Sequence, residues 1–406
     1  MTTVGSAFVG CKVSQADGEE ALAGLAAAGL RTAAPGGDAD VVVVHTCCVT
    51  AEAERKSRRL ARRLAADGRR VLVAGCAAVL HPAQFEGSGL EVVGRPDWAA
   101  VAADLRAPGV PPAGAVAVVS RARTRFVLKV QDGCSGSCSY CVVRLVRGRP
   151  RCTPLGVALA AARAALDNGS GEVVLSGVDL GAWRDGDLRL PDLVRALADL
   201  PGLARLRLSS LEPRHLDDGL LEALAHPRVA RHLHVPLQAA DDAVLRAMRR
   251  PYTFASYLDV AARMQAHLGD CMLSTDVIAG FPAEDDAAFE RTLAALHSGL
   301  FGRVHVFAFS ARPGTAAAEL PPLPAALVKE RSGRALAAAE AAASAARRAA
   351  LGRPAEVLVE DRRGGLWRGY SSEYIRYHLE GTAAPGTLVA AVAGEEYEDG
   401  VKGRIT

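Results

Sequence analysis

The stretch QDGCSGSCSYC, residues 131–141, sets three cysteines at offsets of four and three residues directly after the strand-like run RFVLKV. A zinc site would ask for four ligands, often as two CxxC pairs. A disulfide framework would ask for an even count in a small secreted chain. Three soft thiolates on one loop instead suit three irons of a cubane iron–sulfur cluster. The fourth iron is then left for a substrate or cofactor to fill. The fold has to deliver Cys134, Cys138 and Cys141 together at the end of a strand.

Composition leaves room for this. The chain has 406 residues, half of them apolar, enough for two or three domains with sizeable cores. Its start, MTTVGSAFVG, lacks a basic segment followed by an apolar one, and no apolar run approaches a membrane span. We therefore expect a cytoplasmic protein with no membrane association and with reduced thiols. Nine cysteines in that setting point to metal or redox chemistry rather than cross-links. The net charge of +3 neither demands nor excludes nucleic acid, so local charge matters more than the total.

The first hundred residues alternate strand and helix signals. GSAFVG leads to Cys11, an Ala/Leu-rich helix follows near 17–28, VVVV at 41–44 is a buried-strand run, 52–66 is helical, and RVLVAG is the next strand. This rhythm predicts a small parallel α/β domain over 1–104. Each strand runs to a cysteine: Cys11, the pair Cys47–Cys48, and Cys76. Ligands of open α/β sheets gather beyond the carboxyl ends of the strands, so three cysteines distant in sequence are expected to meet at one sheet edge.

Residues 105–124, with APGVPPAGA, read as a linker. The alternation then resumes through GEVVLSGV, LARLRLSS, RHLHVPLQ, MLSTDVIAGF and VHVFAFS, with helices near 154–168, 191–198 and 285–298. About six βα units predict a complete or partial parallel barrel over 125–345. The segment 313–324 breaks the pattern, and the Ala/Arg-rich run at 335–350 reads as ordinary helix. The last part, 346–406, turns β-like in AEVLVE, EYIRYHLE and GTLVAAVAG and predicts a small all-β barrel.

CxxxCxxC after the first barrel strand, with Tyr140 before the last cysteine, resembles the radical S-adenosylmethionine enzymes. GEVVLSGVDLG at 171–181, RLSSLEP at 207–213, HVPLQ at 234–238 and DVIAGFPAE at 276–284 extend the likeness to the methylthiotransferase branch of that superfamily. The resemblance covers nearly the whole chain. It implies that Cys134, Cys138 and Cys141 hold a [4Fe–4S] cluster whose open iron chelates the amino and carboxylate groups of S-adenosyl-L-methionine. Reduction of that cluster would cleave the sulfonium to a 5′-deoxyadenosyl radical. It also implies cofactor contacts at Tyr140, Ser176, Gly177, Ser209, Glu212, Gln238 and Gly280. GCKVSQAD at 10–17, HTCCVT at 45–50 and VAGCAA at 73–78 match the family's N-terminal signature, so Cys11, Cys47 and Cys76 are expected to bind a second, auxiliary [4Fe–4S] cluster. The β-rich tail is similar to the TRAM module with which such enzymes grip substrate.

The implied reaction replaces a C–H bond by C–SCH3. One S-adenosylmethionine supplies the methyl group to a cluster-bound sulfur, and a second supplies the radical; no side-chain acid or base is nominated. GCK, QDGC and RPGT at 312–315 most resemble the bacterial tRNA N6-threonylcarbamoyladenosine methylthiotransferases, which implies C2 of that adenine, next to the anticodon, as the target. A monomer is expected, served by a reductant such as flavodoxin or ferredoxin and by a sulfur source that the sequence leaves open.

Three features depart from the family pattern. Cys48 follows Cys47 where one cysteine is usual; neighbours on extended backbone point oppositely, so Cys48 is read as a small buried hydrophobe. HTCC stands in place of Asn-Thr-Cys-Thr, with His45 read as structural. The terminal barrel carries seven Lys/Arg against nine Asp/Glu from Arg353 onward, whereas an RNA-gripping module is usually basic. That imbalance favours a protein or peptide substrate. Against it stands ERKSRRLARRL at 54–64, which lines up Arg55, Arg58, Arg59, Arg62 and Arg63 at helical spacing, either as a phosphate-binding stripe or as a solvated face. A non-catalytic iron–sulfur carrier is the reading of another class; the several S-adenosylmethionine motifs argue against it. Cys152 and Cys271 belong to no motif and are read as structural.

Overall fold

The computed structural model describes residues 2–33, 37–105 and 124–406, so the stretch read as a linker lies almost wholly outside the described residues. Its N-terminal unit is a five-stranded parallel sheet of β1 (Thr3–Phe8), β2 (Arg31–Thr32), β3 (Val41–Thr46), β4 (Arg70–Gly75) and β5 (Leu90–Gly94), in the order β2-β1-β3-β4-β5. Two of these strands, β2 and β5, were not legible in the sequence, β2 because it spans two residues. The central β3 is buried along its whole length, as a parallel strand covered on both faces must be. Helices α1 (Lys12–Ala27), α2 (Ala51–Ala66), α3 (Cys76–Leu80) and α4 (Trp98–Leu105) complete the unit. Thr50 of HTCCVT starts α2: its hydroxyl accepts from the Ala53 amide at 3.1 Å, and Glu52 and Glu54 favour the positive helix end.

The middle of the chain forms an open barrel. One sheet holds β6 (Arg125–Asp132), a two-residue β7 (Arg151–Cys152), β8 (Glu172–Gly177) and, past the short hairpin β9–β10 (Arg184–Asp185 and Leu188–Arg189), β11 (Arg205–Leu208), in the order β11-β8-β6-β7. A second sheet holds β12 (His232–His234), β13 (Met272–Ala279) and β14 (Arg303–Ala308). Parallel bridges at Leu206–Val229 and Ser210–His234 join the two sheets into one curved surface. Helices α5 (Val143–Arg147), α6 (Leu155–Asp167), α7 (Leu190–Ala198), α8 (Asp218–Leu224), α9 (Asp242–Ala247), α10 (Phe254–Leu268) and α11 (Asp286–His297) belong to this unit. Leu128, Val130, Leu175 and Leu273 bury their side chains with those of the surrounding helices in the largest core. Opposite residues face the lumen, where Val127 and Val174 meet Ala16 of α1. The N-terminal unit thus packs against the inner face of β6 and β8.

A 25-residue helix, α12 (Ala325–Ala349), buries an alanine face of Ala335, Ala338, Ala339 and Ala342. The chain then closes a five-stranded barrel of β15 (Pro354–Arg363), β16 (Leu366–Ser371), β17 (Arg376–Glu380), β18 (Leu388–Tyr397) and β19 (Gly400–Ile405), ordered β15-β16-β17-β19-β18. It docks on the strands of the open barrel through buried charge. Arg207 donates to Glu172 at 2.9 Å and to the Ser371 and Ser372 carbonyls at 3.0 Å, and Arg205 reaches the Tyr370 and Glu356 carbonyls at 2.9 Å. Tyr374 enters from the turn after β16 with φ +69° and lies over Arg207, Arg125 and Arg303, its hydroxyl 3.4 Å from Lys12 Nζ. Burial alone would push its pKa up, but the cations Lys12, Arg125 and Arg207 pull it down to about 8. Among the described residues no helix is long and apolar enough to cross a membrane.

Candidate active site

Cys134, Cys138 and Cys141 lie on one loop at the carboxyl end of β6. Gly133 launches the loop with φ +76°, and a Cβ there would stand 2.2 Å from the Arg149 carbonyl oxygen, so no other residue fits without moving the backbone. The loop wraps back on its own sulfurs: the Gly136 amide donates to Cys134 Sγ at 3.2 Å, and a Cβ on Gly136 would lie 3.1 Å from Cys134 Sγ and 4.0 Å from Cys138 Sγ. All three thiols are free. Burial pushes the Cys141 thiol up to about 12, so deprotonation has to be driven by a cation or metal. Arg250 Nη1 donates to Cys138 Sγ at 3.2 Å, pairs with Glu212, and donates through Nε to the Tyr252 hydroxyl at 2.9 Å. Asp179 holds Arg214 at 2.7 Å and His215 at 3.0 Å beside Cys134.

The residues expected to contact S-adenosylmethionine surround this loop. Ser176 and Ser209 occupy the same level of neighbouring strands, β8 and the end of β11, and the hydroxyl of each is buried without a hydrogen-bond partner among the described residues. Two orphaned hydroxyls side by side are what a polar ligand would satisfy. Gly177 faces Gln131, where a Cβ would come within 3.0 Å of the Gln131 side chain. Glu212 is tied to Arg250, and Tyr140 packs against a buried apolar cluster that includes Ala239, Met248, Ile278 and Phe281. Gln238 has φ +68° and its amide donates to the Asp276 carbonyl at 2.8 Å. Gly280 donates its amide to Glu284 at 2.8 Å and backs onto Val328 of α12. In the lumen, His234, Asp276 and His305 converge from three adjacent strands, with His234 Nε2 3.2 Å from Asp276. Sequence reading passed over them because no local spacing links them: each sits on a different strand, and the three meet only in the fold.

The second cysteine set lies beyond the carboxyl ends of three neighbouring strands, β1, β3 and β4. Cys11 is the N-cap of α1, Cys47 follows β3, and Cys76 begins α3 directly after β4. Gly10, with φ +131°, brings the chain against Cys47: a Cβ there would be 3.2 Å from Cys47 Sγ. Burial pushes Cys47 up to about 12, and the neighbouring Cys11 and Cys76 add to the rise. Cys76 is lowered to about 7, because it accepts a hydrogen bond from Cys48 and one from Arg147 Nε at 3.2 Å. Cys48 packs in the apolar cluster under the sheet, yet its thiol touches Cys76, a contact the sequence did not reveal. His45 is buried against Trp98, its ring nitrogens have no partner among the described residues, and burial lowers it to about 4, so it is neutral.

Arg147 is the residue that sequence reasoning missed most clearly. It leaves α5 of the open barrel to reach Cys76, Asp17 at 2.7 Å and Asp132 at 2.9 Å, and Arg95 pairs with the same Asp132. One arginine among many carries no local signal; its role exists only where two units meet. A cavity of about 490 Å³ opens beside it, lined by Asp17, His45, Cys76, Trp98, Lys129 and Arg147 among others. The three short motifs also face unit boundaries. Lys12 of GCK meets Tyr374, Asp132 of QDGC meets Arg95, and Arg312 of RPGT stands 3.1 Å from Glu54 of α2.

Residues 128–296 match the Radical SAM superfamily, and residues 3–93 match the Uncharacterized protein family UPF0004. The threonylcarbamoyladenosine tRNA methylthiotransferase MtaB of Thermotoga maritima is 32% identical over 94% of this chain and 92% of its own. The chain belongs to the radical S-adenosylmethionine methylthiotransferases. A tRNA-2-methylthio-N(6)-dimethylallyladenosine synthase of Novosphingobium aromaticivorans is 35% identical over 98% of this chain and 96% of its own. In fold, the chain is similar to the radical S-adenosylmethionine methyltransferase TsrM of Kitasatospora setae, with a TM-score of 0.55 at 15% identity over 78% of this chain and 77% of that one. As a member of its family this methylthiotransferase is a transferase that uses S-adenosylmethionine and [4Fe–4S] clusters.

Proposed function

We propose that this methylthiotransferase acts on tRNA and replaces the C2 hydrogen of N6-threonylcarbamoyladenosine, next to the anticodon, by a methylthio group. The observation that carries the chemistry is the pair of separate cysteine triads, one local and one gathered from three strand ends. Cys134, Cys138 and Cys141 would hold one [4Fe–4S] cluster, and Cys11, Cys47 and Cys76 the other. Bound there, the two clusters and S-adenosylmethionine would supply C–H cleavage and the methylthio group.

The chain's own residues do the positioning. The Ser176 and Ser209 hydroxyls offer unspent hydrogen bonds to the cofactor, Tyr140 and its apolar neighbours keep water from it, and Arg250 braces Cys138 against Glu212. Support for the substrate comes from the GCK, QDGC and RPGT motifs and from the relative named for threonylcarbamoyladenosine. An adenosine in a loop can be splayed into a pocket without melting a duplex. Arg55, Arg59, Arg62 and Arg63 are exposed on α2 as a stripe suited to phosphates. On this reading the enzyme works in the cytoplasm as a monomer, fed electrons by a flavodoxin- or ferredoxin-like donor.

The test compares modified nucleosides in tRNA from wild-type and deletion strains. Loss of the methylthio group on threonylcarbamoyladenosine is expected. Its loss on dimethylallyladenosine instead would reassign the substrate, as the 35% identical relative allows. If neither nucleoside changes, a protein or peptide substrate takes the place of tRNA. In vitro, tRNA binding should weaken steeply with salt, and further on reversing Arg58 and Arg62 to Glu.

A further inference from the structure

The C-terminal barrel holds a buried histidine that nothing in the reaction uses. His378 sits on β17 with 3% of its surface exposed and packs edge-on against Tyr397, ring centroids 4.9 Å apart. Its Nε2 is buried and makes no hydrogen bond among the described residues. Leaving such an atom unpaired is costly, so a native chain that keeps one invites a ligand.

That nitrogen points at the turn between β18 and β19. Glu398 Oε2 is 4.0 Å away and Asp399 Oδ1 3.9 Å, both too long for hydrogen bonds. The three atoms lie within 4.8 Å of one another. A cation centred among three atoms so spaced stands no more than about 2.5 Å from each, within reach of metal–nitrogen and metal–oxygen bond lengths. The imidazole is fixed by burial while both carboxylates are exposed and can swing inward. Burial keeps the ring neutral, Arg376 and Arg368 push the same way, and Glu398 and Asp399 oppose them; a neutral ring keeps a lone pair for a metal. Both arginines are already committed: Arg368 to Asp361 at 2.6 Å, and Arg376 to Asp399 Oδ2 at 2.5 Å, which leaves Oδ1 free.

We propose that His378, Glu398 and Asp399 form a divalent-cation site on the C-terminal barrel. One imidazole and two carboxylates suit Mn²⁺, Fe²⁺ or Zn²⁺ better than Ca²⁺. The remaining coordination positions face solvent, open to water or an anionic oxygen. A cation there offsets part of the acidic excess of this barrel, whatever the substrate of the enzyme.

The site is tested on the full, cluster-loaded chain with its clusters oxidised, by titrating Mn²⁺ and following the free-ion electron paramagnetic resonance signal. About one saturable Mn²⁺ per chain is expected, with pulsed-resonance coupling to an imidazole nitrogen. The exposed double variant Glu398→Gln/Asp399→Asn should bind at least tenfold more weakly at unchanged iron content. His378→Gln should abolish the nitrogen coupling; if that variant fails to fold, the double variant and the wild-type coupling decide alone. Equal binding by wild type and double variant, no saturable binding, or binding without nitrogen coupling would overturn the proposal.

Discussion

Replacing Arg147 by methionine keeps most of the side-chain volume and removes the charge between the two cysteine-bearing units. Arg147 is buried and donates to Asp17 at 2.7 Å, to Asp132 at 2.9 Å and to Cys76 Sγ at 3.2 Å. Hydrogen bonds to charged groups contribute about 1.5–3 kcal/mol each. Asp132 would keep Arg95 and Arg151, and Asp17 would keep Lys129, so the loss falls near the low end of the sum, about 3 kcal/mol. At 1.4 kcal/mol per decade this predicts a roughly 100-fold loss of hydrogen-exchange protection in α1, which carries Asp17. The bond to sulfur is felt separately. A donor to a cluster thiolate favours the more negative, reduced state, so its removal lowers the potential. About 1 kcal/mol of difference between the two states corresponds to roughly 40 mV for one electron. The measurement is a redox titration of Arg147→Met in a background lacking Cys134, Cys138 and Cys141, where only the auxiliary cluster remains. An unchanged or higher potential would refute the role assigned to the Cys76 contact, and unchanged α1 protection would refute the ion-pair reasoning.

Substituting Cys134, Cys138 and Cys141 together by alanine should leave roughly half the wild-type iron and sulfide, because the other triad is assembled independently; complete loss from a folded variant would sink the two-site reading. Cys47→Ala should abolish auxiliary-cluster binding, whereas Cys48→Ala removes one small buried group and its contact with Cys76, at a cost of order 1 kcal/mol; methylthio transfer surviving the first but not the second would reverse the assignment. Tyr374 has a folded pKa of about 8, below its ordinary 10, so ionisation adds stability as pH rises through 8 and the gain is complete above 10. Urea midpoints of wild type relative to Tyr374→Phe should therefore diverge in favour of wild type between pH 7 and 10, and parallel profiles would count against the cation cage.

Much of the architecture could be read from local pattern. VVVV at 41–44 and GEVVLSGV announce covered parallel strands, because only a strand buried on both faces tolerates unbroken apolar runs. CxxxCxxC marks a candidate site by itself because its three cysteines lie within one loop. The second triad was legible at one remove, since each cysteine follows a strand and parallel strands bring their ends to one edge. The two-residue β2 escaped because it is too short to show a period, and β5 because its glutamate interrupts the apolar pattern.

The contacts between units followed a different logic. Lys12, Asp132, Arg147 and Arg312 sit in polar surroundings along the chain and look like surface charges. In the folded protein each meets a partner from another unit, Tyr374, Arg95, Cys76 and Glu54 respectively. The same holds for Cys48, whose neighbour in sequence is Cys47 but whose thiol meets Cys76, and for His378 beneath the Glu398–Asp399 turn. Secondary structure and short-range ligand spacing are governed by backbone periods that repeat every two or 3.6 residues, and these are written in the order of the residues. Which charge faces which across a domain boundary depends on how the surfaces of three units dock, and no period in the chain encodes that.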